Sequence, residues 1–570
     1  MAPIPESKPN PSTQNLSTAQ IEVEDSTEDE PPTGFLKNSP LRHHRFRRFY
    51  FGAVGTALGF TMMVTTSAWL MATLTPSALM VALVQTASTL PTLLFGLFAG
   101  ALADIVERTR VIRAAQSILL AGTLILAGIT LSGWLTPVLL LTFTFVVGVG
   151  FAFYLPAQIA SVNELVDPDE LPRAVALNAV AFNVSRAVGP AMAGAIATWK
   201  GSGSSLLTSA LFLTFMLIAL FGWRSQSARP PGVPEKLLAG VRSGLRYTRH
   251  SLEMRSLIGR TLAFSICASA LWALLPVIAR DQLGLGAGGY GLIFGLFGTG
   301  AVIAALIMPR QLQRMSLNTV VTSNVLLWIV SSLVVASSHI TWIAFIGAFG
   351  AGAAWVGVLA SLGAGTQSSA PSWVRARAVS INLLAVQASL AIGSALWGWL
   401  ANETGPQVTL VSSAILLMAL HFIYRRVEVR LGNSADVTPY AALPELALTA
   451  DPNPEDGPVL VQLEYSIDKD NRADFLQAIQ RVEPTRRRNG ANDWRVFRDL
   501  SEEDRFVERF IITSWAEYIR SRLRMTVADR RIQDEVAKMQ RSDKPIRISR
   551  FLGVTMDDRN SRSTKRKKNS

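Results

Sequence analysis

From about residue 49 to residue 425 the chain is a succession of long apolar runs, each closed by a short cluster of charge or of Gly and Pro. An uncharged run of roughly 18 residues or more spans a ~30 Å hydrocarbon layer when helical. Twelve such runs can be read, beginning near Phe49, Ala78, Val111, Val138, Ala174, Leu206, Leu257, Gly288, Val320, Trp342, Val379 and Val408, with the last closing just before Arg425. The pattern predicts an all-α polytopic membrane protein. After residue 457 the pattern changes to short alternating stretches, the period of strands.

Lys and Arg are distributed unevenly between the turns. One set of gaps holds Arg42, Arg45, Arg47 and Arg48, then Arg108, Arg110 and Arg113, then Arg173. The same side continues through Arg224 to Arg255, Arg310 and Arg314, Arg375 and Arg377, and Arg425 and Arg426. The alternate gaps offer Lys200 and Arg280. Basic loops stay in the cytoplasm, so both termini and the central loop are predicted cytoplasmic.

Composition agrees with a membrane protein: 17% of residues are charged, against about a quarter in soluble domains. The net charge of +13 does not point to nucleic acid, because the basic residues flank membrane segments without an aromatic-interleaved stripe. Cys267 is the sole cysteine, which excludes a disulfide framework and a Cys-based metal site. The Pro-, Ser- and acid-rich residues 1–44 read as a disordered tail rather than a signal peptide.

Two sets of six runs, 45–223 and 256–426, flank a linker at 224–255. In it Leu237, Leu238, Val241 and Leu245 share one helical face and Arg242, Arg246 and Arg249 the other, which suits a helix lying on anionic lipid or a solvated linker helix. The fifth and eleventh runs repeat one another: RAVALNAVAFNVSRAVGPAMAG from Arg173 and RAVSINLLAVQASLAIGSALWG from Arg377. Arg173 pairs with Arg377, Asn178 with Asn382, Ser185 with Ser389, Gly189 with Gly393 and Gly194 with Gly398. A six-plus-six duplication predicts two halves about a central site.

The gap after the second run reads GALADIVERTR. Gly100 permits helix approach, and Asp104 stands where Arg108 and Arg110 can pair with it. These residues resemble the cytoplasmic signature of the major facilitator superfamily, Gly-x-x-x-Asp-Arg/Lys-x-Gly-Arg/Lys-x-Arg/Lys, which implies a charge latch between the halves; Ile105 and Glu107 depart from it. GPAMAG resembles the fifth-helix motif of the antiporter branch, implying a hinge at Gly189, Pro190 and Gly194. FYLPAQ and VNELVDPDELPRAVALNAVAFNVSRAVGPAMAG resemble the enterobactin-exporter-like transmembrane secretion effector group, as does FVERFIITSWAEYIRSRLRMTVADR near the C-terminus. The resemblance implies a twelve-helix, six-plus-six major facilitator fold in a bacterial inner membrane. It also implies export of a small amphiphilic molecule, a siderophore or another secondary metabolite, by alternating access with H+ as coupling ion.

Arg186 lies ~20 Å along its helix from Arg173, deep in the bilayer. An Arg at that depth is costly and faces a bundle interior or a watery cavity. It is the leading candidate to attract an anionic substrate, the alternative being an Arg held by amides or carbonyls. Asn178, Asn183, Gln85, Asn324, Asn382 and Gln387 are candidates for the same cavity, each also able to serve as a helix–helix hydrogen bond. No Asp or Glu lies mid-span: Asp104, Glu164, Asp281 and Glu403 all stand at ends. Proton coupling thus comes from the resemblance alone, since a titrating group is needed to carry it. There is no P-loop, and no cofactor or metal is expected.

Beyond a Pro- and acid-rich linker at 427–457, residues 458–555 read strand–helix–strand–strand–helix–strand, the ferredoxin-like α+β order, and resemble a dimeric α+β barrel. This domain contains neither His nor Cys, so self-association or regulation is expected of it rather than catalysis. Residues 556–570 form a basic tail. A multidrug efflux transporter, and a membrane-tethered sensor or enzyme acting through the C-terminal domain, are the alternative functions.

Overall fold

The computed structural model describes residues 39–223, 237–425, 432, 437–438, 440 and 452–554; for residues 237–242 and Asp104 it describes the backbone alone. The tail readings for residues 1–38 and 555–570, most of both linkers, and the faces assigned to Leu237, Leu238, Val241 and Arg242 lie outside the described residues.

The first half comprises α1 (His44–Leu74), α2 (Ala78–Ile105), α3 (Arg108–Leu131), α4 (Pro137–Val162), α5 (Leu171–Lys200) and α6 (Ser202–Ala219). A shorter helix, α7 (Leu237–His250), leads to the second half: α8 (Leu252–Val277), α9 (Ala287–Arg314), α10 (Leu317–Ser337), α11 (Thr341–Ser369), α12 (Ser372–Thr404) and α13 (Pro406–Tyr424). Among the described residues, eleven helices are long and apolar enough to cross a membrane. The 30-residue α5 is not among them, although it is packed between α1 and α9. Arg173, Asn178, Asn183, Arg186 and Lys200 make it the polar member of the bundle.

Local chemistry sets the helix ends. Ser77, Thr136, Ser251 and Ser316 each accept a backbone N–H from the first turn of the following helix, satisfying a donor the helix leaves orphaned. The repeat is structural as well. Helix α5 ends at Gly201 (φ +85°) and α12 at Gly405 (φ +86°), each glycine starting the next helix. That backbone conformation is open to Gly at little cost.

Small residues bring the helices together. A Cβ on Gly55 or Gly59 of α1 would lie 2.7 Å from the Phe212 carbonyl or 2.6 Å from the Ser209 carbonyl of α6. Such close backbone approach is how membrane helices associate where no hydrophobic force drives them.

The two halves meet at the end away from the Arg-rich turns, here the far end. A Cβ on Gly194 of α5 would stand 2.6 Å from the Ala287 carbonyl, and one on Gly291 of α9 2.6 Å from the Pro190 carbonyl. Gly398 of α12 seats on Ala82 of α2. Ser77 Oγ donates to Asn402 Oδ1 at 3.0 Å, and Arg280 donates to the Thr75 carbonyl at 3.2 Å.

The C-terminal unit contains β1 (Val459–Ser466), α14 (Arg472–Arg488), β2 (Asn492–Arg498), β3 (Arg505–Ile512), α15 (Trp515–Leu523), α16 (Val527–Ala537) and β4 (Arg547–Leu552). Its four strands run antiparallel in the order β2-β3-β1-β4. Alternate residues of β1 and β3 are buried, as their sequence alternation predicts. Inside, Glu508 is buried and accepts from Tyr465, Arg486 and Trp494. Burial, first, and the neighbouring Glu508 carboxylate push the Tyr465 phenol well above its ordinary range.

The described part of the linker helix packs against protein along one side. Ser243 and Tyr247 of α7 are buried. Arg377 of α12 donates to Ser243 at 2.9 Å, and Arg246 donates to Glu517 of α15 at 2.8 Å. The helix is therefore clasped between α12 and the C-terminal unit, with Leu245 left exposed. A carboxylate partner for Arg246, distant in sequence, outcompetes solvent for that face.

Candidate functional site

A cavity of about 480 Å³ lies between the halves, lined by α1, α2, α4 and α5 from the first and by α8, α9, α11 and α12 from the second. Seven aromatic side chains wall it: Phe60, Phe151, Phe182, Trp272, Tyr290, Phe294 and Trp355. They brace one another. Phe60 stacks on Phe151 at 3.9 Å, while Tyr290 meets Phe294 and Trp272 meets Trp355 edge-on, each at 5.4 Å.

Arg186, midway along α5, lines this cavity. Its guanidinium carbon lies 5.8 Å from the centroid of the Phe182 ring and 5.4 Å from that of Trp272. Among the described residues no hydrogen bond or ion pair to this guanidinium is found. Two ring faces supply roughly 0.5–2 kcal/mol each to a desolvated cation. They leave its five N–H donors available, in a fork that matches a carboxylate.

Arg260 of α8 provides the contrast. It donates to Asn318 Oδ1 at 2.8 Å and to the Tyr424 carbonyl at 2.9 Å, tying α8 to α10 and α13. One buried Arg is consumed by structure; the other faces space.

Of the amide candidates, Gln85, Asn382 and Gln387 line the cavity together with Arg186. Asn382 also accepts a hydrogen bond from Thr261 at 2.8 Å. Asn178, Asn183 and Asn324 are elsewhere. Asn324 donates to the Val320 carbonyl at 2.8 Å and packs where a Cβ on Gly357 would stand. Asn183 donates to the Ala179 carbonyl of its own helix, and Asn178 meets Gln158 at 3.5 Å. Within the repeat, Asn183 corresponds to Gln387 and Arg186 to Leu390. Leu390 lines the cavity too, so the duplication has kept the position and the cation belongs to one half.

Around the hinge motif, α5 runs on through Pro190. Gly189 is seated against Thr61 of α1, which donates to the Ser185 carbonyl at 3.1 Å. Gly393, its counterpart, is seated against Ser269 of α8. Each half thus docks its repeat helix on its own first helix in the same way.

At the basic end, Arg108 donates to Glu164 at 2.7 Å and to the Ala160 carbonyl at 2.9 Å, and Arg110 pairs with Glu107 at 2.7 Å. Both arginines of the predicted latch therefore have partners other than Asp104, whose side chain lies outside the described residues. A Cβ on Gly100 would meet nothing within 4 Å, so no helix presses on it in this conformation.

His43, Asp167 and Glu170 bring one ligand atom each within 4.8 Å of one another at the basic end. Glu170 already holds His43 at 2.7 Å and Arg42 at 3.0 Å, and the cluster serves as an ion-pair tie between the starts of α1 and α5.

The aromatic wall escaped the sequence, because Phe and Trp inside apolar helices carry no mark of which way they face. Among the described residues, eleven membrane-length apolar helices gathered about a central cavity give the architecture of a multi-pass membrane transporter. The sequence profile of the transmembrane secretion effector family matches residues 36–558, and the chain belongs to that family. It is 22% identical over 372 residues to the staphyloferrin A transporter of Staphylococcus aureus, covering 64% of this chain and 93% of that protein. To an uncharacterized transporter of major facilitator type from Sinorhizobium fredii it is 27% identical over 233 residues, 39% of this chain and 55% of that one. Its fold matches the inward-facing, unoccupied structure of a bacterial homologue of the lysosomal transporter Spinster (TM-score 0.53, 13% identity, 68% of this chain and 97% of that chain). It also matches a POT family transporter in complex with 5-aminolevulinic acid (TM-score 0.56, 12% identity, 70% and 97%). The family and these relatives are transporters, not enzymes.

Proposed function

We propose that this protein is a secondary active exporter that moves a small amphiphilic anion, a siderophore or similar secondary metabolite, out of a bacterial cell by alternating access. The observation that carries the reading is Arg186, a cation without a described anionic partner in an aromatic-walled cavity between two six-helix halves. A relative that transports staphyloferrin A supports the substrate class.

The Arg-rich turns support a cytoplasmic basic end and cytoplasmic termini in an inner-membrane protein. On that assignment the far-end closure leaves the cavity facing inward, and the latch at Gly100, Asp104, Arg108 and Arg110 engages in the opposite conformation. Gly189, Pro190 and Gly194 act as the hinge. H+ as coupling ion is carried by the family resemblance; no Asp, Glu, His or Lys is among the described residues lining the cavity.

The strand order of the C-terminal unit supports a ferredoxin-like reading, with self-association or regulation as its role. Its grip on α7 gives it a route to α12.

The test is uptake of iron-free staphyloferrin A and of a catecholate siderophore into inside-out vesicles. Energised uptake that disappears in Arg186→Gln, with expression and detergent stability unchanged, is expected. Undiminished uptake by that variant sinks the reading.

A further inference from the structure

We propose that Arg186 makes the empty carrier voltage-sensitive, so that the membrane potential drives export of an anion without a proton-carrying side chain. The proposal rests on the alternating-access reading above and puts the membrane potential in place of H+ as its energy source.

Among the described residues lining the cavity, Arg186 is the one that is charged at neutral pH, and an arginine in a protein does not lose its proton. The empty cavity therefore holds one positive charge. With a monoanion on the guanidinium it holds none. In this conformation the far end is sealed by Gly194 against α9 and by Gly398 against α2, so the potential falls across that seal and Arg186 senses the basic side. When the seal forms instead at the basic end, the same residue senses the far side. The charge crosses the field although the side chain barely travels.

One charge crossing 100 mV changes the balance between two conformations by about 50-fold. A negative basic side holds the empty carrier in the conformation seen here, ready to load. The loaded carrier, neutral, turns over without regard to voltage and releases at the far side. Voltage then draws the emptied cation back. Each cycle exports one negative charge, and the substrate class follows: a solute presenting a carboxylate or phenolate to Arg186. A neutral solute leaves the cavity charged and gains no drive.

The test uses full-length protein carrying Ala82→Cys in liposomes, with potassium and valinomycin setting the potential at either polarity. Ala82 is buried beneath Gly398 at the far end, and the native Cys267 is buried. A membrane-impermeant maleimide added outside labels the new thiol only when the far end opens outward, and oppositely inserted molecules are not reached. An interior made 100 mV negative should slow labelling by tenfold or more relative to zero potential, with about 50-fold as the ceiling. Arg186→Gln should label at a voltage-independent rate, and Arg186→Lys should recover the dependence. Labelling of the Ala82→Cys protein that ignores voltage, or equal voltage dependence in Arg186→Gln, overturns the coupling alone. A thiol that never labels at either polarity, yet reacts after denaturation, overturns alternating access and the proposal with it.

Discussion

Arg186, in the first half of the bundle, and Trp272, in the second, face each other across the cavity with 5.4 Å between guanidinium carbon and ring centroid. The contact joins two elements that, on the proposed alternating-access cycle, separate or slide. It also holds the cation without using its hydrogen-bond donors. Trp272→Leu keeps an apolar wall and removes the ring face, a loss of about 1–2 kcal/mol. A five- to thirty-fold rise in KM is expected, with kcat less affected. An unchanged KM would mean that the ring does not position the cation.

Asn324 separates cavity from packing. It sits against Gly357 on α11, outside the cavity lining. Asn324→Ala should lower the melting temperature of the detergent-purified protein, through about 1 kcal/mol of lost hydrogen bonding, and leave KM within twofold. A large KM change with stability intact would return Asn324 to the transport path.

Gly291 tests the far-end closure. Its Cβ space is occupied by the Pro190 carbonyl at 2.6 Å, so Gly291→Val prevents α9 from approaching α5. Faster hydrogen exchange at the start of α9 is expected, together with loss of export and normal membrane insertion. Normal exchange with normal export would show that the approach is not needed.

The clasp of α7 should depend on pH. Glu517 is largely buried, which by itself raises its carboxyl, but Arg524, Arg246 and Arg520 outweigh that and hold it below the usual range. A depressed carboxylate contributes stability above its unfolded value of about 4.3, and that contribution is lost as pH falls through the depressed value. Protection of the α7 amides, relative to their intrinsic exchange rates, should therefore fall at acid pH. Arg246→Ala should mimic this at neutral pH, at a cost of about 1–3 kcal/mol for a charge-assisted bond. Exchange in α7 that is the same in wild type and variant would detach the C-terminal unit from α12.

Arg186 was legible because an Arg amid apolar residues is conspicuous, and the same polarity drops α5 from the set of helices apolar enough to span. The repeat was legible through non-apolar identities, and Gly201 and Gly405 extend it into matching turns. The role of an individual amide was not. Asn178 and Asn382 occupy equivalent positions, yet one meets Gln158 and the other lines the cavity, because each half presents different neighbours to that face. Alternation exposed the strands of the C-terminal unit, whereas its grip on Arg246 depends on Glu517, far along the chain.

Arg186 is proposed to recognise negative charge on the transported molecule. The most direct measurement is equilibrium binding of an aromatic carboxylate siderophore fragment, 2,3-dihydroxybenzoate, and of its uncharged methyl ester to purified protein. Wild type should prefer the anion by at least tenfold, and Arg186→Gln should bind both alike. A preference for the anion that survives in Arg186→Gln would contradict the account.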